Sequence, residues 1–255
     1  MNIVGIIPAR MASSRLPGKP MASIQGMAMI EHVYKRSLKC PMLSSVYIAT
    51  CDEEIANHIK EIGGEAIMTD IAHERASDRT AEAMLQIERN KGEKIDIVVM
   101  IQGDEPMITP NMIEKAIKPL LLDSSVNIVN LMGRINTIDE FNDPAEVKVI
   151  VDKNNDAIYF SREPIPSVKK TSEKVPMLKQ ICTIPFRRDY LLHYNNLAPT
   201  KLEILESIDM NRLIENGEKI RMVWTEEETY SVDTQEDLVR VNAKMAKDPI
   251  FKRGY

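Results

Sequence analysis

A short apolar run followed by a basic loop opens this chain, and this stretch most constrains what the chain can fold into. Residues 3–7 (IVGII) are β-branched apart from one glycine, which predicts a buried strand. We expect Pro8 to end it, because proline cannot donate to a sheet ladder. The loop that follows carries Arg10, Arg15 and Lys19 and no acidic residue, and its small residues let a ligand approach the backbone. Backbone N–H groups and positive charge suit a polyphosphate there, although a solvated loop is the alternative.

Helical and strand patterns alternate after this loop. A helix over 28–39 returns the chain, and the run 95–101, the most apolar, predicts a central strand of a parallel sheet. The other expected elements of this half are strands at 46–50 and 65–68 and helices at 53–62, in the second part of 73–90, and at 109–121. Four strands alternating with helices predict a doubly wound α/β fold.

The pattern changes beyond about residue 123, where the connections become short. Strands are expected at 126–132, 146–151, 157–160, 178–186, 220–224 and 230–232, and helices at 189–195, 202–216 and 234–246. Residues 166–177 are polar and contain proline, which predicts a mobile surface loop. We interpret the second half as an insertion and lid on the same sheet, so that residues 1–255 form one domain. Its parts are a core (1–125), a second lobe (126–232) and a C-terminal helix (233–255).

Composition narrows the class of protein. Hydrophobic residues make up 44% and charged residues 28%, which favours a soluble globular protein over a disordered one. The net charge of -5 argues against general affinity for nucleic acid, so the basic loop is a local feature. The first apolar run is too short for a signal peptide, and no stretch is long enough for membrane insertion. Three cysteines without metal spacing favour the reducing cytoplasm.

Two aspartates follow expected strands. Asp104 comes after the strand at 95–101, in the segment QGDEP, and Asp233 follows the strand at 230–232. Ligands bind beyond the carboxyl ends of strands in open α/β sheets, although either residue could instead cap a helix. Gly103 is expected to leave room for the ligand. If both carboxylates converge on the basic loop they form a Mg²⁺–triphosphate site, since Mg²⁺ takes one or two carboxylates with phosphate oxygens and waters.

Five segments together resemble one enzyme family. In chain order they are IIPARMASSRLPGKP, QGDEP, FNDPAEVKVIVD, YFSREPIP and SVDTQEDLVRV. This combination resembles the CMP-Kdo synthetases (3-deoxy-manno-octulosonate cytidylyltransferases), within the wider nucleotide-sugar pyrophosphorylase-like family, over nearly the whole chain. The resemblance implies a Rossmann-like nucleotidyltransferase fold with a smaller dimerising lobe, and hence a homodimer. It also implies that CTP and an acidic sugar give the CMP-sugar and pyrophosphate, with Mg²⁺.

The resemblance implies roles for individual residues. The residues implied for the nucleotide are Ala9, Arg10, Ser13, Arg15, Lys19 and Gln102. Asp104 and Asp233 resemble the magnesium ligands, and with Arg10 and Lys19 they make up the implied catalytic set, whose charges stabilise the α-phosphorus transition state. The residues implied for the small anionic acceptor are Arg79, Gln102, Arg162, Gln180 and Asp209. An arginine suits a carboxylate because it can form a bidentate fork.

At the positions that correspond to the family's acceptor site, this chain has different residues. The family's His-(Ile/Leu)-Gly-Ile-Tyr segment aligns with residues 180–184 (QICTI), so Gln180 and Ile184 replace the histidine and the tyrosine. The family's Glu-Gln pair aligns with Asp209 and Met210, and methionine cannot replace the donor and acceptor of glutamine. We therefore expect Kdo to be a poor substrate compared with an acid that has fewer or different hydroxyls. A phosphonate acceptor and a non-catalytic nucleotide-binding paralogue are the alternatives.

Overall fold

The computed structural model describes residues 1–13, 15–168 and 175–255. The strands are β1 (Ile3–Ala9), β2 (Ser23–Ile24), β3 (Met27–Ala28), β4 (Ser45–Thr50), β5 (Ala66–Met68), β6 (Ile97–Ile101), β7 (Val129–Arg134), β8 (Lys148–Val151), β9 (Ala157–Ser161), β10 (Leu178–Ile181), β11 (Thr183–Arg187) and β12 (Arg221–Trp224). The helices are α1 (Met29–Leu38), α2 (Glu53–Glu61), α3 (Ala76–Lys91), α4 (Pro110–Leu122), α5 (Ile138–Asn142), α6 (Arg188–Asn196), α7 (Lys201–Glu206), α8 (Asn211–Glu215), α9 (Gln235–Met245) and α10 (Pro249–Lys252).

The first sheet has the strand order β11-β6-β1-β4-β5. Strands β1, β4, β5 and β6 are parallel, and β11 runs antiparallel to β6 at one edge. Side chains of β1 alternate between two cores: Ile3 and Ile7 pack with residues of α1, α2 and α4, whereas Val4 and Ile6 pack with residues of α3. Burial of both faces by helices is what a parallel sheet requires, and the predicted doubly wound α/β fold is confirmed.

A second sheet, with the strand order β12-β7-β10-β8-β9, replaces the insertion on one sheet that we expected. The continuous strand predicted at 178–186 is in fact two strands. β10 pairs with β7 and β8 in the second sheet, and after Cys182 the chain continues as β11 in the first sheet. The segment 178–187 therefore links the two sheets directly.

Pro8 lies within β1, so the expectation that it ends the strand is wrong. Its partner in β4 is Ala49, while the pairing of β1 with β6 stops at Ile6. The Pro8 carbonyl faces the segment after β6, near Gly103. The missing N–H of the proline therefore points to a side on which the ladder has already ended, where it costs no sheet hydrogen bond.

Three further boundaries differ from expectation. α3 begins at Ala76, earlier than the second part of 73–90 in which the helix was expected. The helix predicted at 202–216 is split into α7 and α8, since Ser207 adopts a left-handed conformation (φ 53°). No strand forms at 230–232, although the Val232 N–H donates to the Asp104 carbonyl at 3.0 Å. Residues 169–174 of the predicted loop at 166–177 lie outside the described residues.

None of the helices within the described residues has the length and hydrophobicity needed to cross a membrane.

Candidate active site

A cavity of about 290 Å³, here called the basic-loop cavity, lies where β1 and β6 end. Both strands are parallel, so the loops that leave them meet at one edge of the sheet, as is usual for ligand sites in this fold class. The residues implied for the nucleotide line it: Ala9, Arg10, Ser13, Arg15, Lys19 and Gln102. Asp104 and Asp233 also line it, so the two carboxylates converge on the basic loop, and their role as metal ligands stays a prediction.

Lys19 joins the two carboxylates. Its Nζ lies 2.6 Å from Asp104 Oδ2 and 3.0 Å from Asp233 Oδ1, and the guanidinium of Arg15 lies 3.0 Å from the same Asp233 oxygen. Burial alone would lower the pKa of Lys19, but the two carboxylates outweigh burial and raise it. Lys19 is therefore a charged ammonium at the centre of the site.

A hydrogen bond to the Asp52 side chain and the conformation of Gly18 hold the loop in place. The carboxylate of Asp52, at the end of β4, accepts a hydrogen bond from the Met11 N–H at 2.8 Å, so it anchors the loop rather than capping α2. Gly18 has φ +69° and directly precedes the single 3-10 turn that carries Lys19, a conformation that glycine adopts at little cost.

Atoms of Ile30 and Pro8 lie close to Gly103. A Cβ at this position would lie 3.0 Å from Ile30 and 3.1 Å from the Pro8 carbonyl oxygen. The glycine therefore lets the segment after β6 pack closely on β1, and it also lines the basic-loop cavity, where we expected it to leave room for a ligand. This close packing sets the position of Asp104, the next residue.

A second cavity of about 560 Å³, here called the inter-sheet cavity, adjoins the first. Gln102, Arg162, Gln180 and Asp209, four of the five residues implied for the acceptor, line it. Much of its remaining lining is apolar and comes from both sheets and the segment before α8: Met100, Val147, Ile184, Ile208 and Met210. The two cavities share Arg10, Glu74, Arg75, Ala76 and Gln102.

Arg79, the fifth residue implied for the acceptor, lies elsewhere. It is 2% exposed and lines the basic-loop cavity instead of the inter-sheet cavity. Its guanidinium donates to the Thr69 hydroxyl at 2.5 Å and to the His73 carbonyl at 3.1 Å. Because α3 begins earlier than expected, Arg79 falls in its first turn and fastens the helix to the end of β5.

Arg162 reaches the inter-sheet cavity, but the protein uses its hydrogen-bonding groups. Nε, Nη1 and Nη2 donate to the carbonyls of Glu206, Pro144 and Ser207 at 2.8, 2.8 and 3.3 Å. Gln180 is similarly engaged, since its amide donates to Asn130 Oδ1 at 2.6 Å. These contacts leave each side chain with fewer donors for an acceptor than the sequence implied.

Sequence reasoning missed Arg75, which directly precedes α3 and lines both cavities. Its Nη1 lies 2.5 Å from Glu203 Oε1 and also pairs with the Asp209 carboxylate. Burial raises the pKa of Asp209, an effect that the charge of Arg75 opposes. No capping side chain marks the start of α3 in the sequence, so the place of Arg75 at the mouth of the cleft had no local signal.

Metal-binding capacity is limited to what the two aspartates offer. Across residues 1–13, 15–168 and 175–255, no group of three or more His, Cys, Asp or Glu side chains could hold a metal ion. The four histidines make other contacts, for example His58 with Glu31 and His73 with Glu82. Asp104 and Asp233 supply the hard oxygen donors that Mg²⁺ prefers, so a metal there needs further oxygens from a bound ligand.

Comparison with known proteins places this geometry in context. The family model for cytidylyltransferases matches residues 4–220. The 3-deoxy-manno-octulosonate cytidylyltransferase of Geobacter metallireducens is 40% identical, over 97% of this chain and 99% of the relative. The enzyme of the same name from Geotalea uraniireducens is 41% identical, over 97% and 100%.

Solved structures show the same relationship. A CMP:2-keto-3-deoxy-manno-octonic acid synthetase complexed with CTP is similar with a TM-score of 0.88 and 38% identity, over 97% of this chain and 99% of that one. A glucose-1-phosphate thymidylyltransferase from Bacillus anthracis is similar in fold alone, with a TM-score of 0.66 and 18% identity. With the family model and full-length relatives in agreement, the chain belongs to the cytidylyltransferase family and is a CTP-dependent nucleotidyltransferase.

Proposed function

We propose that this enzyme transfers CMP from CTP to a Kdo-like ulosonic acid, in a reaction that depends on Mg²⁺. The observation that carries the proposal is the junction of Lys19, Asp104 and Asp233 beside the basic loop, next to a second cavity of acceptor size. The relatives that bear the name 3-deoxy-manno-octulosonate cytidylyltransferase cover nearly the whole chain and support this acceptor class.

The two cavities can hold the two substrates side by side. CTP occupies the basic-loop cavity, with its base near Ala9 and its phosphates near Arg10, Arg15 and Lys19. The acid occupies the inter-sheet cavity. An acceptor oxygen attacks the α-phosphorus, the bond from that phosphorus to the bridging oxygen breaks, and pyrophosphate leaves. Positive charge along the loop stabilises the phosphoryl oxygens and the leaving group more strongly as charge builds up on them.

Asp104 and Asp233 would hold Mg²⁺, with phosphate oxygens and waters as the other ligands. When bound, the metal neutralises phosphate charge and helps to orient the reacting oxygens. Lys19 contacts both carboxylates, so its ammonium must move from at least one of them as the phosphates arrive. After this movement, the Lys19 ammonium binds the phosphates. The homodimer and the cytoplasmic location stay predictions.

The acceptor class follows from the chemistry of the inter-sheet cavity. Ile184 and Met210 line it where the family resemblance implies hydroxyl-binding side chains, and the Gln180 amide is already bonded to Asn130. A site with fewer free polar groups discriminates less in favour of a highly hydroxylated sugar. We therefore expect an ulosonic acid with fewer or different hydroxyls to be preferred to Kdo.

Pyrophosphate release from CTP across a panel of acids tests the proposal. The panel contains Kdo, other ulosonic acids and small phosphonates, each assayed with Mg²⁺ and with a chelator. We expect turnover with ulosonic acids when Mg²⁺ is present and none when the chelator removes it. Turnover with phosphonates only would refute the acceptor class, and no release with any acid would favour a non-catalytic paralogue. If Kdo is the best acid of the panel, other residues supply the lost hydroxyl contacts.

A further inference from the structure

We propose that Arg75 binds the carboxylate of the acid acceptor and is the main residue that makes the enzyme prefer a negatively charged acceptor. This inference rests on the proposed function, because it concerns how the acceptor is held. The residue was absent from the sequence-based site, and its assignment depends on where the fold puts it. Three observations carry the proposal: its place between the cavities, its free donors, and the carboxylates that fix it.

Arg75 lies at the boundary between the basic-loop cavity and the inter-sheet cavity and lines both. The new bond joins the acceptor oxygen to the α-phosphorus, so the reacting carbon of the acceptor must lie at this boundary. In a 2-keto acid that carbon, C2, is bonded directly to the carboxylate carbon. The carboxylate therefore comes to rest beside the nucleotide cavity, and a cation at the boundary is the group that meets it.

Of the arginines not already assigned to the triphosphate, Arg75 has donors to spare beside the inter-sheet cavity, which Arg10 also lines. Only its Nη1 is used, by Glu203 and Asp209, and within the part of the chain that the structure describes Nε and Nη2 have no hydrogen-bond partner. Arg162, by contrast, gives three donor atoms to backbone carbonyls. Arg79 lies outside this cavity and is fastened to Thr69 and His73.

The two carboxylates hold Arg75 in a fixed orientation. Glu203 is already paired through both oxygens with Arg212, at 2.7 and 2.8 Å, so it is a rigid, buried support. Arg75 is the one cation in an ion pair with Asp209 among the described residues. This arrangement anchors one side of the guanidinium and leaves the other side for a ligand. Holding a ligand-binding side chain with its neighbours in this way reduces the entropy lost on binding.

The principal alternative is that Arg75 binds the triphosphate, because it also faces the basic-loop cavity. That cavity already contains Arg10, Arg15 and Lys19, and Arg10 has no ion-pair partner in residues 1–13, 15–168 and 175–255. Among the residues that the structure describes, no lysine lines the inter-sheet cavity, and its other arginines are Arg10 and the engaged Arg162. The need for a cation is therefore greater on the acceptor side.

The test removes the charge from the protein, from the acceptor, or from both, and compares the effects on kcat/KM. Wild type and Arg75→Gln are assayed with Kdo and with its C1 carboxamide, which keeps the hydroxyls and loses the charge. With Kdo, Arg75→Gln should lower kcat/KM by about tenfold or more, the scale of one lost hydrogen bond between charged groups, with the KM for CTP within about twofold of wild type. With the carboxamide, the two proteins should have similar kcat/KM.

Controls separate this effect from misfolding and from failure of the proposed function. Arg89→Gln removes an exposed guanidinium from the far end of the same helix and should match wild type. Arg75→Lys keeps the charge and should recover part of the loss with Kdo. Equal losses with Kdo and the carboxamide, or a rise in the KM for CTP alone, would overturn the proposal. Wild-type turnover with any ulosonic acid of the panel tests the proposed function separately. If Kdo turns over too slowly, the same comparison uses the preferred ulosonic acid and its C1 carboxamide.

Discussion

Replacement of Lys19 by methionine should convert the lysine-bridged carboxylates into a stronger metal site. In the structure the Lys19 ammonium lies 2.6 Å from Asp104 and 3.0 Å from Asp233, in the space between the two oxygens. A metal that binds without CTP must displace it. Methionine has similar length and no charge, so the variant leaves two carboxylates that repel each other and that a divalent cation would neutralise.

The size of the effect follows from the two contacts. A hydrogen bond to a charged group contributes about 1.5–3 kcal/mol, so displacement of the ammonium from both carboxylates costs about 3–6 kcal/mol. The lower figure corresponds to roughly a hundredfold in affinity. We therefore expect Mg²⁺ to bind Lys19→Met at least about a hundredfold more tightly than wild type in the absence of CTP. CTP turnover by the same variant should fall, because the phosphates lose their ammonium.

Isothermal titration of Mg²⁺ into nucleotide-free protein measures the affinity directly. Mg²⁺ at a hundred times its Kd should also raise the free energy of unfolding of the variant by about 2.7 kcal/mol. Lys35→Met is the matched control, because Lys35 pairs with Glu31 on α1, at 2.7 Å, and should leave Mg²⁺ binding unchanged. Adding Asp104→Asn to Lys19→Met should abolish the gain. A folded Lys19→Met protein with wild-type Mg²⁺ affinity would refute the reasoning.

Three other substitutions test the site and the scaffold. Asp104→Asn should lower turnover at least about a hundredfold at saturating Mg²⁺ while the protein stays folded, and near wild-type turnover would remove this residue from the metal site. Arg36→Met removes a buried guanidinium that lies 2.5 Å from the half-buried carboxylate of Asp248, and it should cost about 1.5–3 kcal/mol in denaturant unfolding; a loss under about 0.5 kcal/mol would contradict this. Two hydrogen bonds from Arg188 lower the pKa of Glu88, so its contribution to stability is present above the unfolded pKa and is lost as pH falls through the folded pKa. Glu88→Gln should therefore destabilise the protein by about 1–3 kcal/mol at pH 7, and the difference should shrink below about pH 4.5.

Residues at strand ends could be predicted because short-range patterns fix them. An apolar run that ends in a polar, glycine-containing segment places its next side chains at the edge of the sheet, and this is how Lys19 and Asp104 were found. Asp233 also lines the basic-loop cavity, but not because it follows a strand as we expected. No strand precedes it, and a backbone hydrogen bond from Val232 to Asp104 brings it there.

The features that escaped prediction depend on partners that are distant in sequence. Residues 178–186 form one uninterrupted β pattern, and nothing in that pattern marks the change of sheet at Cys182. Arg162 has the residue type of an anion ligand, but three carbonyls brought together by the fold use its donors. Arg75 makes no capping hydrogen bond of its own, so the start of α3 carried no local signal.

The change of sheet at Cys182 has an evolutionary consequence. Gln180, Cys182 and Ile184 alternate along one extended segment, and all three side chains face the inter-sheet cavity. The backbone of this segment is held by pairing with β7 on one side of Cys182 and with β6 on the other. Substitutions at these three positions can reshape the floor of the cavity without altering the path of the chain or the basic loop. Acceptor preference can therefore diverge by a few point mutations while the nucleotide chemistry is inherited unchanged.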